Sequence, residues 1–545
     1  MGDGMIDLGK KRALIIDDSP AMCSSLRTTL SNFGITRCEM SNSANEAVFR
    51  IRQRDFDLIV CDYCLGDGSD GQQILEQLRK SALIAPTVAF LMVTAERGYE
   101  KVVSCAELAP DDYLLKPFTA ETMRIRVERV FEKKDVFAPI YELIGGGKAE
   151  EAITECDRIL DLKNKFAIDL IRLKGELLIT LGRHEDARLL YEQIIAARAI
   201  PWARIGLAKT LSMAGRSTEA IETLELAIAD TPQYLGAYDL LAQTHEQQGN
   251  AELAQNILEK AVDISPNTLS RQTMIGEMAY RNGDLETAQK AFGLVVNKGK
   301  YSFSRSHNDY VNLSRALLDD NKYEEALNVI GDAKKSFENT PELELASSVM
   351  ESLIYQGTAR HAESQKALAK ALEVRKEHGL RLSDAVSIDL AKSCFLNDEE
   401  DEARALVKDV VSNFYDDEKI QKMVRQMLDK VGRGNESQDL IEKSVTEVIK
   451  LNNEGVLRAK NGDLAGAIDL LVAASKRMPE NVQVALNAAH ALIVDSDRNG
   501  WNEGNMFLAR SFINGHAAKH ANLDKFKKVS ALFKDVSLKF GVKVA

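Results

Sequence analysis

The chain has 545 residues, of which 45% are apolar, 28% charged and 6% aromatic. That composition suits a multidomain globular protein and excludes a disordered or membrane-embedded chain. A net charge of −12 repels phosphate backbones and argues against general nucleic-acid binding, while sparse Pro and Gly point to a mostly helical chain.

Residues 1–10 read as a polar tail without a signal peptide. Seven thinly spread cysteines fit a reducing cytosol rather than a disulfide framework. No run of about 18 apolar residues marks a membrane span, so the expected location is cytoplasmic.

From 11 to 134, short β-rich runs alternate with helical patterns. The runs are ALIID (13–17), RCEMSN (37–42, the weakest), FDLIVCD (56–62), TVAFLMVT (87–94) and DYLL (112–115). Helices are predicted over 20–32, 43–54, 70–80 and 97–108. Strands that are nearly continuously apolar are buried on both faces. The pattern predicts an α/β domain, a doubly wound five-stranded parallel sheet.

Polar residues gather where these strands end. Asp17 and Asp18 close the first, Asp62 the third, Thr94 the fourth, and Lys116, followed by Pro117, the fifth. In a parallel sheet those ends share one edge, where ligands bind. Clustered carboxylates repel unless a cation sits among them, and an all-oxygen donor set suits Mg²⁺. The set reads as a Mg²⁺-dependent site for phosphoryl chemistry with a carboxylate nucleophile.

The pattern DD…D…T…KP resembles the CheY-like, flavodoxin-like receiver domain of two-component response regulators. The resemblance implies that Asp62 is the phosphoacceptor, that Asp18 is a direct Mg²⁺ ligand and that Asp17 holds the metal mainly through water. The backbone carbonyl of Cys64 would complete the protein ligands. Lys116 would pair with the phosphoryl oxygens, its bond to Pro117 being cis, and Thr94 would give them its hydroxyl. Tyr113, three residues before Lys116, stands at the position of the switch aromatic. Phosphorylation would then draw in Thr94, turn Tyr113 inward and reshape the face made by the fourth helix, fifth strand and fifth helix. That face would form a homodimer through the receiver or release a tethered partner. Cys61 and Cys64 form a CxxC, but no second Cys or His pair accompanies them, and Cys61 in a buried strand reads as a small hydrophobe.

Beyond residue 135 apolar residues recur at helical spacing. Gly182, Gly215, Gly249 and Gly283 stand 33, 34 and 34 residues apart, each with an Ala five residues on (Ala187, Ala220, Ala254, Ala288). Tyr191, Leu224, Leu258 and Phe292 follow four residues later, and Gly175, Ala208, Ala242 and Gly276 precede each turn by seven. A glycine turn, small residues for close approach and a bulky filler make a helical hairpin that buries its apolar face by stacking on its neighbours. The period and pattern resemble tetratricopeptide (TPR) repeats. Weaker units follow, tracked through Ala326, Ala362 and Ala403, and a better one at Gly462 and Ala467. The expected division is a receiver at 11–134, a TPR-like α-solenoid at 135–430, a linker or break at 431–437 and a further TPR-like helical region at 438–545. The last 30 residues hold seven Lys and two Asp, read as a solvated helix.

These features predict a response regulator phosphorylated on Asp62 by a histidine kinase or phosphotransfer protein, with Mg²⁺ as cofactor. Its TPR groove would bind a protein target, making it an adaptor or inhibitor of another signalling protein. The alternative is a TPR-mediated phosphatase or phosphate sink acting on another phosphorylated regulator, with Gln243, Gln247 and Gln248 available to orient water. A transcription factor requires a basic recognition helix, and none is evident. No signature of a separate catalytic domain appears, and neither nucleic acid nor membrane is an expected partner.

Overall fold

The structure, a computed structural model, describes residues 7–65, 71–94, 110–197, 200–266, 268–300, 305–380, 382–520 and 523–542. The chain forms two compact units, Met1–Leu313 and Ser314–Ala545.

The first unit begins with β1 (Arg12–Ile16), α1 (Pro20–Asn32), β2 (Arg37–Ser41), α2 (Ala44–Gln53), β3 (Leu58–Asp62), α3 (Gly71–Lys80), β4 (Ala89–Thr94), β5 (Asp112–Leu115) and α4 (Ala120–Gly145). The five strands are parallel in the order β2-β1-β3-β4-β5. The predicted helix over 97–108 lies outside the described residues. Alternate strand residues face opposite ways. Ala13, Ile15, Leu58, Val60, Leu91 and Val93 pack with α1 and α4, while Leu14, Ile16, Ile59, Cys61, Phe90 and Met92 pack with α2 and α3. Local chemistry starts the helices: Ser19, Ser43 and Thr119 accept the backbone N–H of Met22, Glu46 and Thr122, and Pro20 takes the first turn of α1.

The expected domain boundary at 134/135 falls in the middle of α4, which runs unbroken for 26 residues. Periodicity is continuous there, with Met123, Val127, Val130 and Phe131 serving the receiver core and Phe137 and Ile140 serving the next. No turn residue stands at 134 to divide them.

Paired helices follow, from Ala149–Asp161 to Leu285–Gly299 in this unit. Gly182, Gly215, Gly249 and Gly283 all adopt left-handed φ between 69° and 82°. At Gly276 a Cβ would meet the Phe292 ring at 2.7 Å, so the small residue permits the close approach that the bulky one fills. Ala167–Thr180, Pro201–Met213 and Leu235–Gln247 also touch one another in succession, which places them along the inner side of the stack. Trp202 packs edge-on against Tyr191, ring centres 6.3 Å apart.

Ser314–Ala545 continues the paired-helix pattern through Asp524–Lys539. Two sequence expectations need correction here. Ala362 is exposed; the small-residue position belongs to Ser364, fully buried at the fourth place of helix His361–His378, as Ala326 and Ala403 are in theirs. Tracking alanine alone missed it because serine fits the same space. The linker expected at 431–437 is a turn: Gly432 takes φ 74° and helix Gly434–Lys460 starts two residues later. The glycines of VGRGNES suggested slack, yet one makes the left-handed turn and the other opens a 27-residue helix.

Candidate functional site at the carboxyl edge of the sheet

β1, β3, β4 and β5 deliver Asp17, Asp62, Thr94 and Lys116 to one edge because parallel strands end on the same side. Carboxylate oxygens of Asp17, Asp18 and Asp62 lie within 4.8 Å of one another. Asp17 is buried, Asp62 half-buried and Asp18 exposed. Lys116 bridges them, its Nζ 3.1 Å from Asp62 Oδ1 and 3.2 Å from Asp17 Oδ2. Asp17 Oδ1 accepts the Ser19 N–H at 2.9 Å and Asp62 Oδ1 accepts its neighbour's N–H, that of Tyr63, at 3.0 Å.

Burial pushes the Asp62 carboxyl above its ordinary range; Lys116 pulls the other way and Asp17 adds to the rise. The Lys116 ammonium is also partly desolvated, but its two carboxylate partners outweigh that and hold its pKa above the ordinary lysine value. Three carboxylates against one ammonium leave an excess of negative charge in an all-oxygen donor set. These residues fit a hard divalent cation.

Thr94 is buried at the end of β4, where its carbonyl accepts the Lys116 N–H at 2.7 Å, fixing β5 beside β4. The Lys116–Pro117 bond is cis. Tyr113 is half-buried, its ring against the core on the α2–α3 face and its hydroxyl oxygen enclosed. Cys64 is exposed at the same edge and Cys61 is buried in β3; neither is in a disulfide. All seven expected site residues are thus described, and all stand at or next to this edge.

Two supporting residues escaped sequence reasoning. Gly71 opens α3 against the site: a Cβ there would lie 2.7 Å from Met92 Sδ and press on the Asp62 carbonyl oxygen. Its signal was only a glycine at a loop-to-helix junction. Cys23, on α1, donates its thiol to the Asp17 carbonyl at 3.3 Å, and burial raises its pKa, so it remains a neutral support.

Comparison with known proteins agrees with the fold. Residues 13–128 match the response regulator receiver domain family, and residues 172–235 and 235–268 match tetratricopeptide repeat families. The alkaline phosphatase synthesis transcriptional regulatory protein PhoP of Bacillus subtilis is 28% identical over 193 residues, 34% of this chain and 78% of that protein. Chemotaxis protein CheY-3 of Vibrio cholerae is 27% identical over 22% of this chain and 92% of its own length. The solved structure of Vibrio cholerae chemotaxis protein CheY4 shares 26% identity, covers 22% of this chain and 98% of its own, and gives a TM-score of 0.21.

The chain carries a response regulator receiver domain followed by TPR repeats. The CheY-3 match covers about the receiver's share of the chain, and the PhoP match reaches 34% of it. In the receiver, the acidic edge is the candidate site, and α4 runs on from the receiver towards the repeats. No described helix is long and apolar enough to cross a membrane.

Proposed function

We propose that the chain is a cytoplasmic response regulator whose receiver takes a phosphoryl group on Asp62 and whose TPR region binds a protein target accordingly. One observation carries this reading: a lysine ammonium bridging two of three convergent carboxylates at the ligand-binding edge of a parallel sheet. An Asp62 carboxylate oxygen attacks phosphorus. The new O–P bond forms as the N–P bond of a phosphohistidine, or the O–P bond of acetyl phosphate, breaks, and the leaving group takes the bonding pair. Lys116 then exchanges its carboxylate contact for a phosphoryl oxygen, and the buried Thr94 hydroxyl donates to another.

Asp17, Asp18, Asp62 and the backbone carbonyl of Cys64 would hold Mg²⁺, which supplies charge neutralisation for the incoming phosphoryl oxygens. Thr94 and Tyr113 form the switch. The enclosed Tyr113 hydroxyl supports that reading. Leu115 and Ile125, 48% and 52% exposed, supply apolar surface for self-association through the receiver. The partner upstream is a histidine kinase or phosphotransfer protein. Downstream, the inner side of the repeats takes a peptide or helix of a target, as an adaptor or inhibitor does.

Incubation with radiolabelled acetyl phosphate and Mg²⁺ tests the reading. Label should enter the wild type and be absent from Asp62→Asn. A pull-down with and without beryllofluoride should then recover a partner in one state only. Phosphate released from a phosphorylated partner, rather than retained binding, would favour a phosphatase role instead.

A further inference from the structure

Most of α4 is explained by two rows of apolar residues, one for each core it serves. Lys134 is the exception. It sits between Phe131 of the receiver core and Phe137 of the repeat core, with its side chain 8% exposed. A lysine is buried so deeply only when its ammonium is paired. Its Nζ lies 2.7 Å from Asp111 Oδ1 and donates to the Pro86 carbonyl at 2.6 Å. Asp111 Oδ2 accepts the Phe90 N–H at 2.8 Å. Arg79, at the end of α3, approaches the same oxygen at 3.8 Å and donates to the carbonyls of Ala85 and Val88 at 2.7 and 3.0 Å.

These groups stand at the starts of β4 and β5. The same two strands finish at Thr94 and next to Lys116, roughly 13 to 17 Å away at about 3.3 Å per residue. One residue before Lys134, Lys133 reaches in the other direction, its Nζ 2.6 Å from Asp169 Oδ1 on helix Ala167–Thr180; Glu132 pairs with Lys165. One turn of α4 is therefore fastened to the receiver sheet on one side and to the repeats on the other. Tyr141, two turns on, is half-buried beside Phe137, and burial together with the Asp111 charge pushes its hydroxyl up to about 12.

We propose that the Asp111–Lys134 pair, braced by Arg79, is the joint through which the state of the Asp62 edge reaches the TPR repeats. This rests on the response-regulator reading above. A displacement of β4 and β5 at Thr94 and Lys116 moves Asp111 and the Phe90 amide. Lys134 carries that movement into α4, and α4, continuous to Gly145, delivers it to helices 149–161 and 167–180 through the core that Phe137 and Ile140 share with them.

The test is hydrogen–deuterium exchange of the full chain, with and without beryllofluoride and Mg²⁺, alongside acetyl phosphate labelling. In the wild type, exchange should change at residues 89–116 and also in helices 149–161 and 167–180. In Lys134→Met, the receiver response and Asp62 labelling should persist while the change in those two helices falls at least fivefold. If the orphaned Asp111 prevents that variant from folding, Lys134→Met/Asp111→Asn removes both charges and gives the same readout. A full repeat-helix response in the folded variant overturns the joint, as does a wild type whose receiver responds while its repeats do not. A wild type that takes no label at all overturns the response-regulator reading, and the joint with it.

Discussion

In the receiver, the residues that matter are charges: three carboxylates within 4.8 Å of one another and the Lys116 ammonium that spans two of them. In the repeats they are volumes: a small residue at the fourth place of one helix, a bulky one four residues on, and a residue able to turn left-handed before them. Charge chemistry tolerates no substitute, so the receiver pattern is complete. Volume does. Ser364 stands in for alanine, and Asn321, Ala359 and Asp398 take the left-handed turn, at φ 60°, 58° and 63°, where earlier repeats use glycine.

The sharpest way to break that contrast is Asp62→Ala. Labelling by acetyl phosphate should vanish, while far-ultraviolet circular dichroism retains the helical signal; persistent labelling would place the acceptor elsewhere. Next in size is Gly71→Ala. Its Cβ meets backbone at the site, so overpacking should cost the receiver about 1–3 kcal/mol and slow labelling as well. Gly276→Ala, pressing on the Phe292 ring, should cost a similar amount locally but leave labelling untouched. Amide exchange in the two regions, set beside labelling rates, separates chemistry from packing.

A pH titration gives a further test. Burial raises the Asp62 carboxyl, so it takes up a proton at a pH above the ordinary 3.8. Mg²⁺ affinity measured calorimetrically should therefore begin to fall, on acidification, before a free aspartate would protonate. Lys116 shifts the opposite limit: its pKa lies above 10.5, so the pair's contribution to stability is complete below that value and is lost as pH rises through the raised one. The smallest expected effect is at the substituted turns. Ala359→Gly relieves a left-handed alanine and should slow amide exchange in helices 341–357 and 361–378, by up to about 1 kcal/mol. Gly283→Ala should do the reverse in helices 269–282 and 285–299.

Most of the receiver was legible because its strands are continuously apolar and their last residues are polar, so Asp17, Asp62, Thr94 and Lys116 mark both the fold and the site. Gly71 was not, since its importance lies in contacts with Met92 and the Asp62 carbonyl that no local pattern announces. The early repeats were read from glycine spacing together with the small and bulky residues set at fixed distances from each turn. The later ones blurred at the positions where another residue accepts the same backbone or fills the same space. The part played by Lys134 was hidden for a related reason: a lysine in a helical row reads as solvent-facing until Asp111, 23 positions earlier in the chain, is found beneath it.

The serine that replaced alanine has its own consequence. Ser364 Oγ donates to the Ser352 carbonyl at 2.9 Å, Ser352 Oγ lies 2.7 Å from Ser393 Oγ, and Asn397 Nδ2 donates to the Ser393 carbonyl at 2.8 Å. Three successive helices, 341–357, 361–378 and 384–396, are thereby keyed to one another by buried hydrogen bonds. Units joined by apolar surfaces alone are free to be duplicated or lost as evolution lengthens or trims an array. Those around Ser364 are not, and descent should preserve them as a single inherited block.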